Sequence, residues 1–188
     1  GKTQAIDFNE ATFRRDTYFR NTKFYIKANF TDTRFHESVN FTEAIFNNKV
    51  DFQEASFLGF TQFRNTIFED EARFEAISAP RGFDLTKATF KTLPDFVQAH
   101  FAEAPRLDGV QHGDRKKNWQ IPQKSDDELR TLTARFRALK RLALQNQDYE
   151  LERLYFQGEL SAMNKIYPRE SWHGWMNWLY EKLSDFGR

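Results

Sequence analysis

Four histidines, His36, His100, His112 and His173, are the side chains here best suited to ligate a metal or carry a proton near neutral pH. They are scattered, with no H-x-x-x-H or H-E-x-x-H spacing to put two imidazoles on one helix face. Cysteine is absent, which excludes a disulfide framework and thiolate-bound metal and suits a reducing compartment. No G-x-S-x-G, phosphate-loop or dinucleotide fingerprint occurs. The many Asp and Glu are dispersed among other polar residues, where surface solubility accounts for them. The sequence therefore offers no catalytic residues, no cofactor-binding residues and no metal ligands, and it reads as non-enzymatic.

A different chemistry is written in "WHGWMNWLYEKLSDFGR" (Trp172 to Arg188). Trp172, Trp175 and Trp178 recur at i, i+3 and i+6, on one broad helical face with Met176, Leu179 and Leu183. An ordinary domain would bury such a stripe in its core. Trp and Tyr also concentrate where protein meets the bilayer interface. On that reading Trp172, Trp175, Trp178 and Tyr180 sit at headgroup depth, while Lys182 and Arg188 reach toward phosphates or solvent. The expected partner is a membrane surface, and a second copy covering the stripe would make a homo-oligomer.

The elements that would carry this tail are set by a repeat. One series holds Phe8, Phe19, Phe30, Phe41, Phe52, Phe63 and Phe74, then Leu85, Phe96 and Leu107, always 11 apart. A second holds Phe13, Phe24, Phe35, Phe46, Phe57, Phe68, Ala79, Phe90 and Phe101, again 11 apart. Nineteen slots give one exception, Ala79. Such a repeat decides the fold before local propensity does. A helical reading fails, because residues five apart lie roughly 140° apart on a helix and would occupy different faces. The Thr, Asn, Asp and Phe that dominate the segment are also poor helix formers. A flat strand fails because a gap of five reverses the side chain. The chain must turn between successive Phe residues so that each points at a common axis.

The residues two before each Phe agree: Ile6, Ala11, Thr17, Thr22, Ala28, Thr33 and Val39 open a series that stays small or β-branched as far as Ala72. In an extended segment i and i−2 share a face. Each short side thus buries one large and one small residue and shows polar residues outward, as the shared core of a solenoid requires. "FNEATFRRDTYF" and "FTEAIFNNKVDF" resemble the Phe-centred pentapeptide-repeat proteins, with alternating five- and six-residue spacing, over about residues 5–110. The resemblance implies a mainly β fold, a right-handed quadrilateral β-helix of four sides and about 22 residues per coil, with Phe8 stacked beneath Phe30. Four and a half such coils at ~4.8 Å spacing make a rod ~20 Å long. The sixth residue on alternate sides is expected to bulge at corners. At Ala79 a missing ring would leave a cavity costing a few kcal/mol. Ile77 and Phe83 are expected to refill it, with Pro80-Arg81-Gly82 turning the chain; the alternative is a kink used as a binding notch.

Three regions follow: the β-helix over 5–110, a linker or end cap over 111–124, and an α-helical region over 125–188. Trp119 and Ile121 are candidate plugs for the open end of the solenoid, and Arg115-Lys116-Lys117 are either solvated or in contact with anionic lipid. Ser125-Asp126-Asp127-Glu128 is a capping box. Leu129, Leu132, Phe136, Leu139 and Leu142 follow at helical spacing. Asn146 to Asp148 break that helix, and a second runs to about Tyr167, which predicts an antiparallel hairpin followed by the Trp-rich helix. "ERLYFQG" (Glu152 to Gly158) matches the recognition sequence of a viral protease used to remove tags, but the helical pattern runs through it, so it reads as native.

The net charge is +1. Residues 1–110 carry 14 Lys and Arg against 16 Asp and Glu, or −2, and residues 111–188 carry 14 against 11, or +3. Neither value suits a nucleic-acid partner or a DNA mimic. There is no secretory signal and no 18-residue apolar run. The tail, with its "W-L-Y-x-x-L-S-D-F-G" segment, resembles bacterial pentapeptide-repeat membrane proteins in which a helical hairpin leads into transmembrane helices, some like two-helix ion channels. That resemblance implies a scaffold or regulatory domain on the cytoplasmic side of the bacterial inner membrane, cut before its membrane part. The other reading is a free-standing interaction module like the pentapeptide-repeat inhibitors of DNA gyrase, against which the weak acidity counts.

Overall fold

The computed structural model describes residues 4–113, 121 and 125–167. The chain divides into two compact units, Gly1–Asp114 and Arg115–Arg188.

The first unit is a parallel β-solenoid with four flat faces. The first face is built from Ala5–Asp7, Lys27–Asn29, Val50–Asp51 and Ala72–Arg73, and the third from Thr17–Tyr18, Val39–Asn40, Thr61–Gln62 and Phe83–Asp84. The second face runs from Thr12–Phe13 to His100–Phe101, and the fourth from Lys23–Phe24 to Gln111–His112, each with five strands. Partners lie 22 residues apart, as in Ala28↔Val50 and Thr61↔Phe83, so two sequence periods make one coil and the chain winds about five turns. The last pairing, Phe90↔His112, carries the ladder two residues past the boundary at 110 read from the sequence.

Two kinds of corner explain the five/six alternation. After the first and third faces the chain turns within four residues, closed by the Ala11 amide donating to the Phe8 carbonyl (2.9 Å) and repeated by Ala44 on Phe41 (2.9 Å) and Ala55 on Phe52 (3.0 Å). The third residue of each turn has positive φ, as a type II turn demands. It is Glu10, Asn21, Asp32, Glu43, Glu54, Asn65, Ala76, Lys87, Gln98 and Gly109, one every 11 residues. The residue before the Phe helps select this corner. Asp7, Asn29, Asn40, Asp51, Asp84 and Asp95 each accept a hydrogen bond from the amide two residues on, at 2.8–3.2 Å. Such short acceptor side chains hold a turn locally. The second Phe series is preceded instead by Thr12, Lys23, Arg34 and Ile45, and its corners are open bends carrying the sixth residue.

Inside, each Phe stacks on its equivalent one coil away. Phe30, Phe52, Phe74 and Phe96 form one column with ring centroids 4.7–5.1 Å apart. Phe19, Phe41 and Phe63 form another at 4.8–4.9 Å. Neighbouring columns meet edge to face, as Phe41 does with Phe52 at 5.5 Å and 78°. Both geometries suit the ring quadrupole. Buried threonines are satisfied along the axis: the Thr33 and Thr66 hydroxyls donate to the carbonyls of Phe8 and Phe41 one coil back (both 2.8 Å). At Ala79 the column is interrupted and Phe83 turns inward, edge-on to Phe57 at 5.7 Å and to Phe101 at 5.3 Å. Ile77, Ala79 and Phe83 are all buried.

The second unit contains α1 (Asp126–Gln145) and α2 (Tyr149–Ile166). Ser125 caps α1 in a reciprocal box: its Oγ accepts from the Glu128 amide (3.3 Å) and Glu128 Oε2 accepts from the Ser125 amide (3.0 Å). Asp148 caps α2 by accepting from the Leu151 amide (3.0 Å). The buried stripe of α1 runs through Leu129, Thr133, Phe136, Leu139 and Ala143, with Leu132 only half-buried. Thr133 is admitted because its hydroxyl donates to the Leu129 carbonyl at 2.8 Å. The helices approach where Gly158 faces the Phe136 ring: a Cβ there would lie 2.2 Å from the ring. Beside it the buried Glu159 carboxylate accepts from Arg137 Nε (3.0 Å) and Lys140 Nζ (2.5 Å). The "ERLYFQG" segment lies within α2, with Tyr155 and Gly158 buried.

Candidate functional site

With its inward side chains committed to stacking, the solenoid can present chemistry only on its faces and corners. The third face and the corner after it form an open polar cleft of about 340 Å³. Its floor is the outward column Asn40 and Gln62, and its wall is the next column, Arg20, Thr42, Arg64 and Thr86, one residue per coil. Asn65 and Lys87, two of the positive-φ residues, complete the rim. Backbone ladders fix these positions: the amides of Asn21, Glu43 and Asn65 donate to the carbonyls of Thr42, Arg64 and Thr86 at 2.8–3.0 Å. Successive wall residues therefore stand one strand spacing apart, about 4.8 Å.

The polar groups of the cleft are oriented. Asn40 accepts from the Thr42 amide (2.8 Å) and its own Nδ2 donates to Gln62 Oε1 (3.0 Å), so the Gln62 amide nitrogen is turned away from Asn40. Asp84 is buried, with Oδ1 accepting from the Thr86 amide (2.9 Å) and Oδ2 facing Arg64 Nε at 3.4 Å. That contact holds the Arg64 guanidinium by one edge. Thr42 Oγ1 is buried without a hydrogen-bond partner. Arg20 and Lys87 are exposed.

The family model described as pentapeptide repeats (9 copies) matches residues 3–45 and 41–76, the first coils of this solenoid. Residues 3–76 of this chain are thus detected as pentapeptide repeats. No curated protein and no solved structure matches it. The pentapeptide-repeat register explains where each residue expected from the sequence lies. Phe24, Phe30, Phe35, Phe41, Phe46, Phe52, Phe57, Phe63, Phe68, Phe74, Phe90 and Phe96 are buried in the core, while Phe8, Phe13, Phe19 and Phe101 are partly exposed in the outer coils.

Sequence reasoning ended the ring series one slot early. His112 occupies the slot 11 after Phe101, is buried, and lies parallel to Phe90 with centroids 6.0 Å apart. The spacing of 11 was the available signal; the change from Phe to an ionisable ring obscured it. His36 and His100 are exposed. Among the described residues no three His, Asp or Glu side chains are grouped to hold a metal ion.

Trp172, Trp175, Trp178, Tyr180, Lys182 and Arg188 lie outside the described residues, as do Arg115, Lys116, Lys117 and Trp119. Ile121 is buried, and its carbonyl accepts a hydrogen bond from Lys165 Nζ of α2. Among the described residues no helix is long and apolar enough to cross a membrane.

Proposed function

We propose that this pentapeptide-repeat solenoid is a non-enzymatic scaffold or regulatory domain held at the cytoplasmic face of a bacterial inner membrane, within a channel-like protein, by its Trp-rich tail. The observation that carries the scaffold part is the use of side chains: inward positions are spent on ring stacks, and outward ones, mostly polar, are set in columns by parallel strand pairing on four faces. Such a rod presents surface without rearranging, which suits docking rather than turnover. The membrane part rests on the tail, where three Trp, a Tyr, a Lys and an Arg have the composition of an interfacial helix.

Tryptophan emission of the full chain, with and without vesicles containing anionic lipid, tests the membrane part. A blue shift and co-sedimentation are expected, both lost when Trp172, Trp175 and Trp178 are changed together to Ala. Identical emission with and without lipid would return the tail to an ordinary packed helix.

A further inference from the structure

The cleft on the third face has the donors of an anion site. Arg20 and Arg64 stand two coils apart in one wall column, about 10 Å between backbones. Thr42 lies between them, so the two long side chains can close on one point above it from opposite sides. The Thr42 hydroxyl is buried there without a hydrogen-bond partner. Gln62 directs its amide nitrogen away from Asn40, and Lys87 supplies an ammonium from the rim. Three cations with Asp84 against one of them leave a local charge of +2 in a solenoid whose residues 1–110 sum to −2. Glu43, exposed on the same corner column, is not part of the lining.

We propose that this cleft binds a phosphate group. A phosphate ester carries about −1.5 to −2 charges at neutral pH and has three acceptor oxygens, which matches a +2 site with donors on several sides. A carboxylate offers half that charge and two oxygens in one plane. Arg64 is the principal ligand: Asp84 holds its Nε edge, which leaves the terminal nitrogens to make the paired contacts that guanidinium forms with phosphate. The cleft is larger than a phosphate, so the phosphate can be carried on a small organic molecule.

The test is titration of the full 188-residue chain with inorganic phosphate by calorimetry and by thermal shift at constant ionic strength, with acetate and sulfate in parallel. Saturable phosphate binding is expected, comparable for sulfate and absent for acetate. Arg20→Ala should weaken it about tenfold, the loss of one charged contact. Arg64→Ala strips the buried Asp84 of its partner and can destabilise the fold, so Arg64→Lys, which keeps the charge and loses the fork, is the informative change. It should also weaken binding several-fold while leaving the unliganded melting temperature unaltered. Arg34→Ala, on the second face, should leave affinity unchanged. Non-saturable binding, equal loss in Arg34→Ala, or equal affinity for acetate would each overturn the proposal.

Discussion

The core Phe residues divide by position in the rod. Phe52 touches Phe30 and Phe74 along its column, at 4.8 and 5.1 Å, and meets Phe41 and Phe63 edge-on at 5.5 Å. Phe8 has a stacking partner on one side only, Phe30 at 4.9 Å, and remains partly exposed. Truncation of a buried ring leaves a cavity whose walls cannot collapse between rigid neighbours, so Phe52→Ala or Phe41→Ala should cost about 3–5 kcal/mol. Phe8→Ala should cost clearly less, because water already reaches part of that ring. Chemical denaturation of the three variants checks this, and equal losses at end and middle would contradict the stacked core. The one slot without a large side chain, Ala79, shows the requirement from the other side. There the volume is supplied by Phe83 from the adjacent face.

At the scale of the element, the corners and the helical hairpin place opposite demands on small residues. Each tight corner holds its third residue near φ +55°, a conformation that costs an L-residue with a Cβ roughly 1–2 kcal/mol. Ala76 sits there without a polar side chain to make a local hydrogen bond. Ala76→Gly should therefore stabilise the solenoid by about 0.5–1 kcal/mol, the relief being reduced by glycine's greater freedom in the unfolded chain. Gly158 is the reverse case. Alanine there gains about 1 kcal/mol of helix propensity, but its methyl would enter the Phe136 ring, whose own burial prevents an easy retreat. Overpacking of that kind outweighs the gain, and Gly158→Ala should destabilise the hairpin by about 1–3 kcal/mol. Thermal melts of both variants should shift in opposite directions.

Across the molecule, burial is graded along the rod. The inward residues of the first coil, including Ile6, Phe8, Phe13 and Phe19, are partly exposed, whereas Phe41, Phe46, Phe52 and Phe57 are at most 1% exposed. In a solenoid each coil is stabilised by its neighbours, so opening proceeds from the ends. Amide hydrogen exchange should be slowest in the coils containing residues 39–68 and fastest in the first coil. Uniform protection along the solenoid would mean that the coils open as one unit and that end exposure has no energetic consequence. The polar cleft of the third face spans the first four coils, from Arg20 to Lys87.

Much of this was legible in the sequence because a repeat multiplies weak signals. One Phe means little; nineteen slots at 11-residue spacing leave one way to bring every ring to a common axis, and the small residue two before each slot selects the inward face. The capping box and the hairpin were equally local, since their hydrogen bonds connect residues three or four apart. The cleft was not legible. Arg20, Thr42, Arg64 and Lys87 are spread over 68 positions, and each by itself reads as solvated surface. They become one site only because parallel pairing at a step of 22 residues sets wall residues one strand spacing apart. The same pairing puts His112 under Phe90 and brings Asp84 beneath Arg64. Periodicity along the chain determined the shape of the rod; the register between its coils decided which outward side chains meet.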